Sequence, residues 1–406
     1  MKFIIHTQYY PPEKGAAPTR LSELAANLVN AGHDVTILAA MPNYPTGKIF
    51  PGYGGFVKRE KEGNIKFVRT WIYPTKSSKM IPRLVNYFSF VISSFLGGLF
   101  FLRKSDYLLT ESPPLFIGMS SYLLCFLKRC RWIFNVSDLW PDSAVNMGVI
   151  GMGTSYKISK VLEKFFYRKA WLTSGQSKEI IEGVKQTVPG TKTYHLSNGA
   201  DVSRFNPALR SQKIHTELGD GVECVAVYAG LHGMAQGLDQ IVEAAKYLRC
   251  LNGKLKIVFI GDGPDKEMLM KNAADLQIIK FLDPQPKEKI PEFLASSDIA
   301  LVPLKTYIHG AVPSKIYEAM ASAVPILLVA EGESTTIMNE TNSGIVIKPG
   351  EIKEIADNLI KLSSDSALRS KLGNNGRTAV VEKYNRQKIY QDFIEFLSNT
   401  NGAETL

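Results

Sequence analysis

The chain is poor in the residues that build metal centres and disulfide frameworks. Its four cysteines stand at Cys125, Cys130, Cys224 and Cys250, and no two form a CxxC pair. Such usage fits a reducing, cytoplasmic setting better than a secreted, cross-linked one. The six histidines are scattered, and no HxxxH, DxD or clustered His/Cys pattern occurs, so no metal is expected. GxGxxG, P-loop and GxSxG motifs are also missing, which removes the usual warrants for dinucleotide binding, P-loop chemistry and serine hydrolysis. There is no low-complexity tract and no short repeat. The opening apolar run, residues 1–6, is too short for a signal peptide and reads as a first strand.

Long hydrophobic runs are scarce too, with one exception. Residues 84–102 read LVNYFSFVISSFLGGLFFL, nineteen residues without a charge, flanked by Lys76, Lys79 and Arg83 before and by Arg103 and Lys104 after. A span needs about 20 apolar residues. Asn86, Ser89, Ser93, Ser94 and the Gly97-Gly98 pair dilute the run and weaken it as a spanning helix. Three readings stay open: a span, a helix lying on a bilayer with Phe88, Phe95 and Phe100 toward lipid, and a buried core helix.

What is present is a globular composition, 45% hydrophobic and 21% charged, long enough at 406 residues for two domains. Charge is unevenly placed. Residues 1–200 hold 25 Lys+Arg against 12 Asp+Glu, a net +13, whereas the whole chain carries +10. A basic first half suits an anionic membrane, a phosphorylated substrate or nucleic acid, and no nucleic-acid motif accompanies it.

Apolar runs of strand length alternate with helical periodicity. Candidate strands are 3–6, 34–38, 65–70, 107–110, 132–136, 171–173 and 193–196, then 224–228, 256–260, 278–282, 299–302, 326–329 and 344–347. The alternation predicts an α/β protein with two doubly wound, Rossmann-like parallel sheets. Ser197-Asn198-Gly199-Ala200 marks the boundary. The expected domains are 1–197 and 198–384, with a C-terminal helix near 385–400 returning to the first. Ligands of such sheets bind at strand carboxyl ends, here in a cleft between the domains.

Candidate site residues fall at those ends. Gly15 and Arg20 lie between the first strand and a helix expected over 21–30. Asp138, after the strand 132–136, is either a base or positioning group for an acceptor hydroxyl, or a helix cap. Gly230, Gly233 and Gln236 follow the first strand of the second half, and Gly261 and Gly263 repeat the turn one unit later. Close backbone N–H groups in such turns suit phosphate. Pro313 fits a helix's first turn. Behind it, Ser314, Lys315 and Glu318 share a helix start, with Ile316, Ala319, Met320 and Ala323 on the buried face. The lysine suits phosphate and the glutamate suits sugar hydroxyls. The plain alternative is a surface ion pair between Lys315 and Glu318.

Several stretches together carry a family likeness. They are the proline-rich opening with Gly15, Ser197-Asn198-Gly199-Ala200-Asp201, Gly261-Asp262-Gly263-Pro264, and Pro313-Ser314-Lys315 through Glu318-Ala319-Met320. On these the chain resembles the retaining, nucleotide-sugar-dependent glycosyltransferases of family 4, which have the GT-B fold. Through Tyr9-Tyr10-Pro11-Pro12-Glu13, Asp138-Leu139-Trp140-Pro141 and Val312-Pro313-Ser314-Lys315 it looks like the N-acetyl-L-fucosaminyltransferases of O-antigen and capsule assembly. The resemblance implies a UDP-sugar donor, an acceptor on undecaprenyl diphosphate, peripheral attachment to the inner face of the cytoplasmic membrane, and no cofactor, metal or nucleic acid. It implies Glu318 on the ribose and Lys315 on the diphosphate, with Gly15 also on the donor. Two departures stand out. The first of the family's paired glutamates would fall at Gly310, beside His309. The loop after the first strand of the second half offers His232 and Gln236 where many members carry Arg and Lys. A sugar-nucleotide epimerase and a non-catalytic assembly or nucleic-acid-binding module are the rival classes.

Overall fold

In a computed structural model of the chain, the residues described are 1–77, 79–146, 151–251 and 253–403, without the side chains of 250 and 401–403. They form two compact units, Met1–Ser197 with Tyr390–Leu406, and Asn198–Ile389.

The first unit is an eight-stranded sheet. Its strands are β1 (Lys2–Thr7), β2 (Asp34–Ala40), β3 (Val57–Glu62), β4 (Ile65–Thr70), β5 (Tyr107–Ser112), β6 (Arg131–Val136), β7 (Leu172–Gly175) and β8 (Thr193–His195), in the order β3-β4-β2-β1-β5-β6-β7-β8. All neighbours are parallel except β3, an antiparallel edge strand on β4. The sequence reading omits β3, because Val57-Lys58-Arg59-Glu60-Lys61-Glu62 is nearly all charged. It is an edge strand with no buried position, exposed at Arg59, Lys61 and Glu62, where charge also discourages strand addition. The interior strands are near-continuous apolar runs because helices cover both faces. The last helix, Arg386–Ala403, joins this unit through its later turns. Leu397 accepts from the Tyr107 hydroxyl at 3.0 Å, and the Tyr390 hydroxyl donates to the Arg20 carbonyl at 3.0 Å.

The second unit is a six-stranded, all-parallel sheet. Its strands are β9 (Cys224–Ala229), β10 (Leu255–Ile260), β11 (Ile279–Leu282), β12 (Ile299–Pro303), β13 (Ile326–Val329) and β14 (Gly344–Ile347), in the order β11-β10-β9-β12-β13-β14. The order reverses between β9 and β12, as it does in the first sheet between β1 and β5. Loops from opposite faces part at such a point and leave a crevice at the carboxyl ends.

The run 84–102 belongs to the helix Met80–Phe101, whose buried face mixes Phe90 and Val91 with polar and small residues and whose outer face is apolar. Asn86, Ser93, Ser94, Gly97 and Gly98 are buried, whereas Met80, Ile81, Val85, Ile92 and Phe100 are exposed. Each dilution of the run is a packing device. Asn86 donates to the Tyr73 carbonyl at 2.6 Å and accepts from Gln8 at 2.9 Å, and Ser94 donates to Ser120 at 3.2 Å. A Cβ on Gly97 would lie 2.4 Å from Thr70, and one on Gly98 2.7 Å from Leu124, so both glycines let the helix approach closely. The helix runs through both glycines. Phe95 is corrected. It packs against the core cluster of Leu124, Trp132 and Phe166 and does not face outward with Phe100. Phe88 is on the rim, its ring 4.9 Å from Phe116. Lys76, Lys79, Arg103 and Lys104 are exposed, and Arg83 donates to the Tyr87 hydroxyl at 3.2 Å.

Candidate active site

In the second sheet, β9 and β12 share only the pairs Ile299↔Ala226 and Ala300↔Val227, then run on to Ala229 and Pro303 without pairing. Their parting leaves a notch at the carboxyl ends. The helix that follows β12 is Ser314–Ala321, with Pro313 at the N-cap, one position earlier than the sequence reading places it. No side chain caps this helix start. Ala323 lies beyond the helix, at φ 55°.

Lys315 bends inward. Its ammonium is 5.2 Å from the centre of the Tyr228 ring, and a Cβ on Gly230 would come within 2.7 Å of Nζ. Burial pushes the ammonium below its ordinary pKa, and the Glu318 carboxylate pulls the other way. The two form no ion pair, which sets aside the surface-pair reading. Glu318 instead accepts a hydrogen bond from the Ser314 hydroxyl at 3.2 Å. A partly desolvated cation facing a sheet's switch point suits a negatively charged ligand.

The glycines of the two turns let the turns pack closely on one another. A Cβ on Gly261 would lie 1.9 Å from the Gly230 carbonyl oxygen, and one on Gly263 2.2 Å from that of His232. The turn after β10 thus passes directly over the turn after β9. Gly230 N–H donates to Ile260 O at 2.9 Å, and His232 N–H to Asp262 O at 2.8 Å. Gly233 opens a short turn closed by Gln236 N–H on the Gly233 carbonyl at 3.0 Å. His232 is wholly buried among Tyr228, Phe259 and Phe281, and neither ring nitrogen has a hydrogen-bond partner. Burial, aided by Lys266, lowers its pKa, so the ring is neutral and supplies no cation to this loop. Gly310 is buried at φ 77°, and His309 turns to the Tyr307 hydroxyl at 2.7 Å.

In the first unit, Gly15 is the N-cap of the helix Ala16–Asn30, so Arg20 sits in the second turn and not the first. The loop before it is held by Glu13, whose buried carboxylate accepts from the N–H groups of Tyr10 at 3.2 Å, Asn43 at 2.8 Å and Tyr44 at 2.8 Å. Arg20 reaches the β1/β5 switch point and pairs with Glu111. The same guanidinium donates to the Ser137 hydroxyl at 2.8 Å, which also bonds Glu111 and Gln176. Asn135 donates to Glu111 at 2.7 Å and accepts from Ser174 at 2.7 Å.

The sequence reading missed Glu111, Asn135, Ser137, Ser174 and Gln176. The signal was a polar residue at or just past the carboxyl end of each of three neighbouring apolar strands. Asp138, next to Ser137, is half-buried. Burial raises its pKa, while Ser143 and the Leu139 N–H favour the charged form. Ser143 lies in the short helix Asp142–Asn146 and Leu139 just before it. Among the described residues, no group of three or more His, Cys, Asp and Glu side chains could hold a metal ion.

Comparison with known proteins follows the division into units. Residues 15–192 match the glycosyl transferase 4-like domain, and residues 217–379 match the glycosyl transferases group 1 family. The chain is 26% identical over 348 residues to WcaI of Escherichia coli K12, a glycosyl transferase assigned to colanic acid biosynthesis, covering 82% of this chain and 84% of that one. Among solved structures, sucrose-phosphate synthase from Thermosynechococcus elongatus aligns over 99% of each chain with TM-score 0.78 at 16% identity. HepE of Anabaena, solved in complex with UDP, aligns over 98% of this chain and 100% of that one with TM-score 0.73 at 14% identity. With two family models tiling both of its Rossmann-like units, the chain belongs to the group 1, family 4 glycosyltransferases of GT-B fold.

Proposed function

We propose that this glycosyltransferase moves a sugar from a UDP-sugar, with retention, to a saccharide carried on a polyprenyl diphosphate, in assembly of a bacterial surface polysaccharide. The observation that carries the donor half is Lys315: a half-buried lysine turned onto the Tyr228 ring, with no acidic partner within ion-pair distance, at the switch point beside Gly230. The diphosphate meets Lys315 and the uncapped N–H groups of the Ser314–Ala321 helix, and the ribose hydroxyls meet Glu318. As the glycosidic bond breaks, negative charge grows on the leaving oxygen, and these groups stabilise it in a dry site. Asp138 acts at the acceptor hydroxyl, beside the network of Arg20, Glu111 and Ser137. UDP in HepE and colanic acid in the name of WcaI support the donor and pathway class.

N-acetyl-L-fucosamine is the sugar we assign, from the likeness carried by Tyr9-Tyr10-Pro11-Pro12-Glu13 and Asp138-Leu139-Trp140-Pro141. The acceptor's lipid supports a peripheral position on the inner face of the cytoplasmic membrane, with the outer face of the Met80–Phe101 helix toward lipid. No metal or other cofactor takes part, and nucleic acid is not a partner. The test incubates purified protein with a panel of UDP-sugars and a polyprenyl-diphosphate acceptor, with and without EDTA. Transfer from UDP-N-acetyl-L-fucosamine in EDTA is expected. Transfer only from another sugar corrects the donor. Interconversion of UDP-sugars without acceptor overturns the transferase reading.

A further inference from the structure

The first sheet has an uncovered corner at the amino ends of its strands, the end opposite Gly15 and Asp138. Register places Ile4, Thr36, Lys66 and Lys61 in one row across β1, β2, β4 and β3, with Lys2 and Asp34 just before it. Register partners point to the same face. The Met80–Phe101 helix covers that face where Gly97 meets Thr70 and Val57, and it ends at Phe101, short of the row. The chain then turns through Arg103, Lys104 and Ser105 into β5. What is left is a cavity of about 510 Å³.

Its lining is strongly basic. Lys2, Arg59, Lys61, Lys66, Arg103 and Lys104 contribute six cations against the two acids Asp34 and Glu60. Glu60 is already paired, with Lys58 at 2.6 Å and Arg69 at 3.5 Å. Among the described residues none of the six cations forms an ion pair with an acidic side chain. Lys61 and Lys66 stand directly opposite on β3 and β4, a like-charge pairing that costs stability unless an anion lies between them. The nearby helix carboxyl terminus would repel an anion, but Lys128 offsets it by donating to the carbonyls of Leu99 at 2.7 Å and Leu102 at 2.9 Å. Arg59 is held at the rim, 5.3 Å from the Phe101 ring.

We propose that this corner binds the phosphate of an anionic lipid headgroup. Phosphate is the shared chemistry of lipid and free anion, and the apolar rim selects the lipid. Phe101 lines the cavity, and Phe100, 75% exposed beside it, continues the apolar outer face of the helix. A headgroup in the cavity sets its acyl chains along that face. The site is separate from Lys315 and rests on the reading of the helix as bilayer-facing.

The test uses the full chain with neutral phosphatidylcholine vesicles, the same vesicles containing phosphatidylglycerol, soluble short-chain phosphatidylglycerol, and inorganic phosphate. Wild type should bind the anionic vesicles and the short-chain lipid, and inorganic phosphate only weakly. Lys61→Ala/Lys66→Ala should bind anionic vesicles roughly 25-fold more weakly, about fivefold per lysine. Lys61→Arg/Lys66→Arg should bind as wild type does, and circular dichroism should show all three folded. If the alanine pair binds vesicles as wild type does, the cavity is not the site, although the bilayer reading survives. If inorganic phosphate binds as tightly as the short-chain lipid, the lipid assignment is overturned. If wild type ignores all vesicles, the bilayer reading and this site fall together.

Discussion

The ammonium of Lys315 lies 5.2 Å from the centre of the Tyr228 ring, so a residue after β12 is stacked on one from β9 across the point where the sheet reverses. The contact places a charge where the two strands part, with Gly230 leaving it room. Lys315→Ala should weaken UDP binding by roughly 1.5–3 kcal/mol, about 10- to 150-fold, the range for a charge-assisted contact. The pH dependence has a definite sign. Only the protonated amine attracts diphosphate, and burial lowers its pKa. UDP affinity should therefore fall as pH rises through a value below that of an exposed lysine. Calorimetry from neutral to alkaline pH checks it, and an alkaline slope that persists in Lys315→Ala would assign it to another group.

Gly230 and Gly261 should respond differently to alanine. At Gly261 the new Cβ meets a backbone carbonyl at 1.9 Å, which cannot yield without moving a strand end. At Gly230 it meets the flexible end of Lys315 at 2.7 Å. Gly261→Ala should lose roughly 1–3 kcal/mol of stability, as overpacking does. Gly230→Ala should lose less stability and more UDP affinity, because it displaces the lysine. Thermal unfolding and UDP titration of both variants decide it, and equal losses in the two measurements would contradict the distinction.

Much of this was legible in the chain. Buried parallel strands are plain apolar runs, and 299–302 or 326–329 can be read by eye. The notch was legible as well, since glycines and a lysine after strand ends are local signals. Charged β3 was not, because an edge strand facing water needs no apolar pattern. Nor was the inward turn of Lys315: a lysine three residues before a glutamate reads as a surface pair until Tyr228, 87 positions earlier, is known to lie beneath it. The buried faces of the Met80–Phe101 helix were misread for a related reason. Ser and Gly dilute a hydrophobic run, but against a sheet they are the contact residues.

Arg20 and Glu111 form a buried pair whose loss should be asymmetric. Removing one partner strands the other, at a cost of about 3–5 kcal/mol, whereas replacing both by apolar residues costs much less. Glu111→Ala should thus destabilise more than Arg20→Met/Glu111→Leu in urea unfolding. If the double variant is the less stable, the pair contributes net stability rather than positioning Ser137.

His6 makes stability depend on pH. Its ring is buried on β1, bonded to the Ser121 hydroxyl at 2.8 Å, and burial lowers its pKa to about 3. The unfolded histidine, near 6.5, binds a proton that the folded one refuses. The contribution is therefore fully present above the unfolded value and is lost as pH falls from about 6.5 toward 3, reaching roughly 2 kcal/mol at about pH 5. Denaturant midpoints between neutral pH and pH ~5 should fall more steeply for wild type than for His6→Gln. Parallel slopes would mean that another group dominates.

The last prediction separates the two faces of the Met80–Phe101 helix. Its inner face packs Phe90 and Val91 together with polar and small residues bonded to the sheet and to the helix Ile117–Lys128, and its outer face holds Ile92 and Phe100, 60% and 75% exposed. Phe126 is 73% exposed on the neighbouring helix. A solitary exposed apolar residue needs no explanation, but a row of exposed apolar side chains along one helix is of the kind that marks an interaction surface, and the proposed function gives it to a bilayer. Ile92→Ser/Phe100→Ser/Phe126→Ser should keep its unfolding midpoint and lose vesicle binding and turnover on a lipid-linked acceptor, while still using a short soluble acceptor. Asn86→Leu should do the reverse: it leaves the Gln8 amide and the Tyr73 carbonyl without their partner and destabilises the fold by about 1–3 kcal/mol, with vesicle binding retained. Unfolding of the triple variant, or vesicle binding equal to wild type, would show that the outer face serves something other than a bilayer.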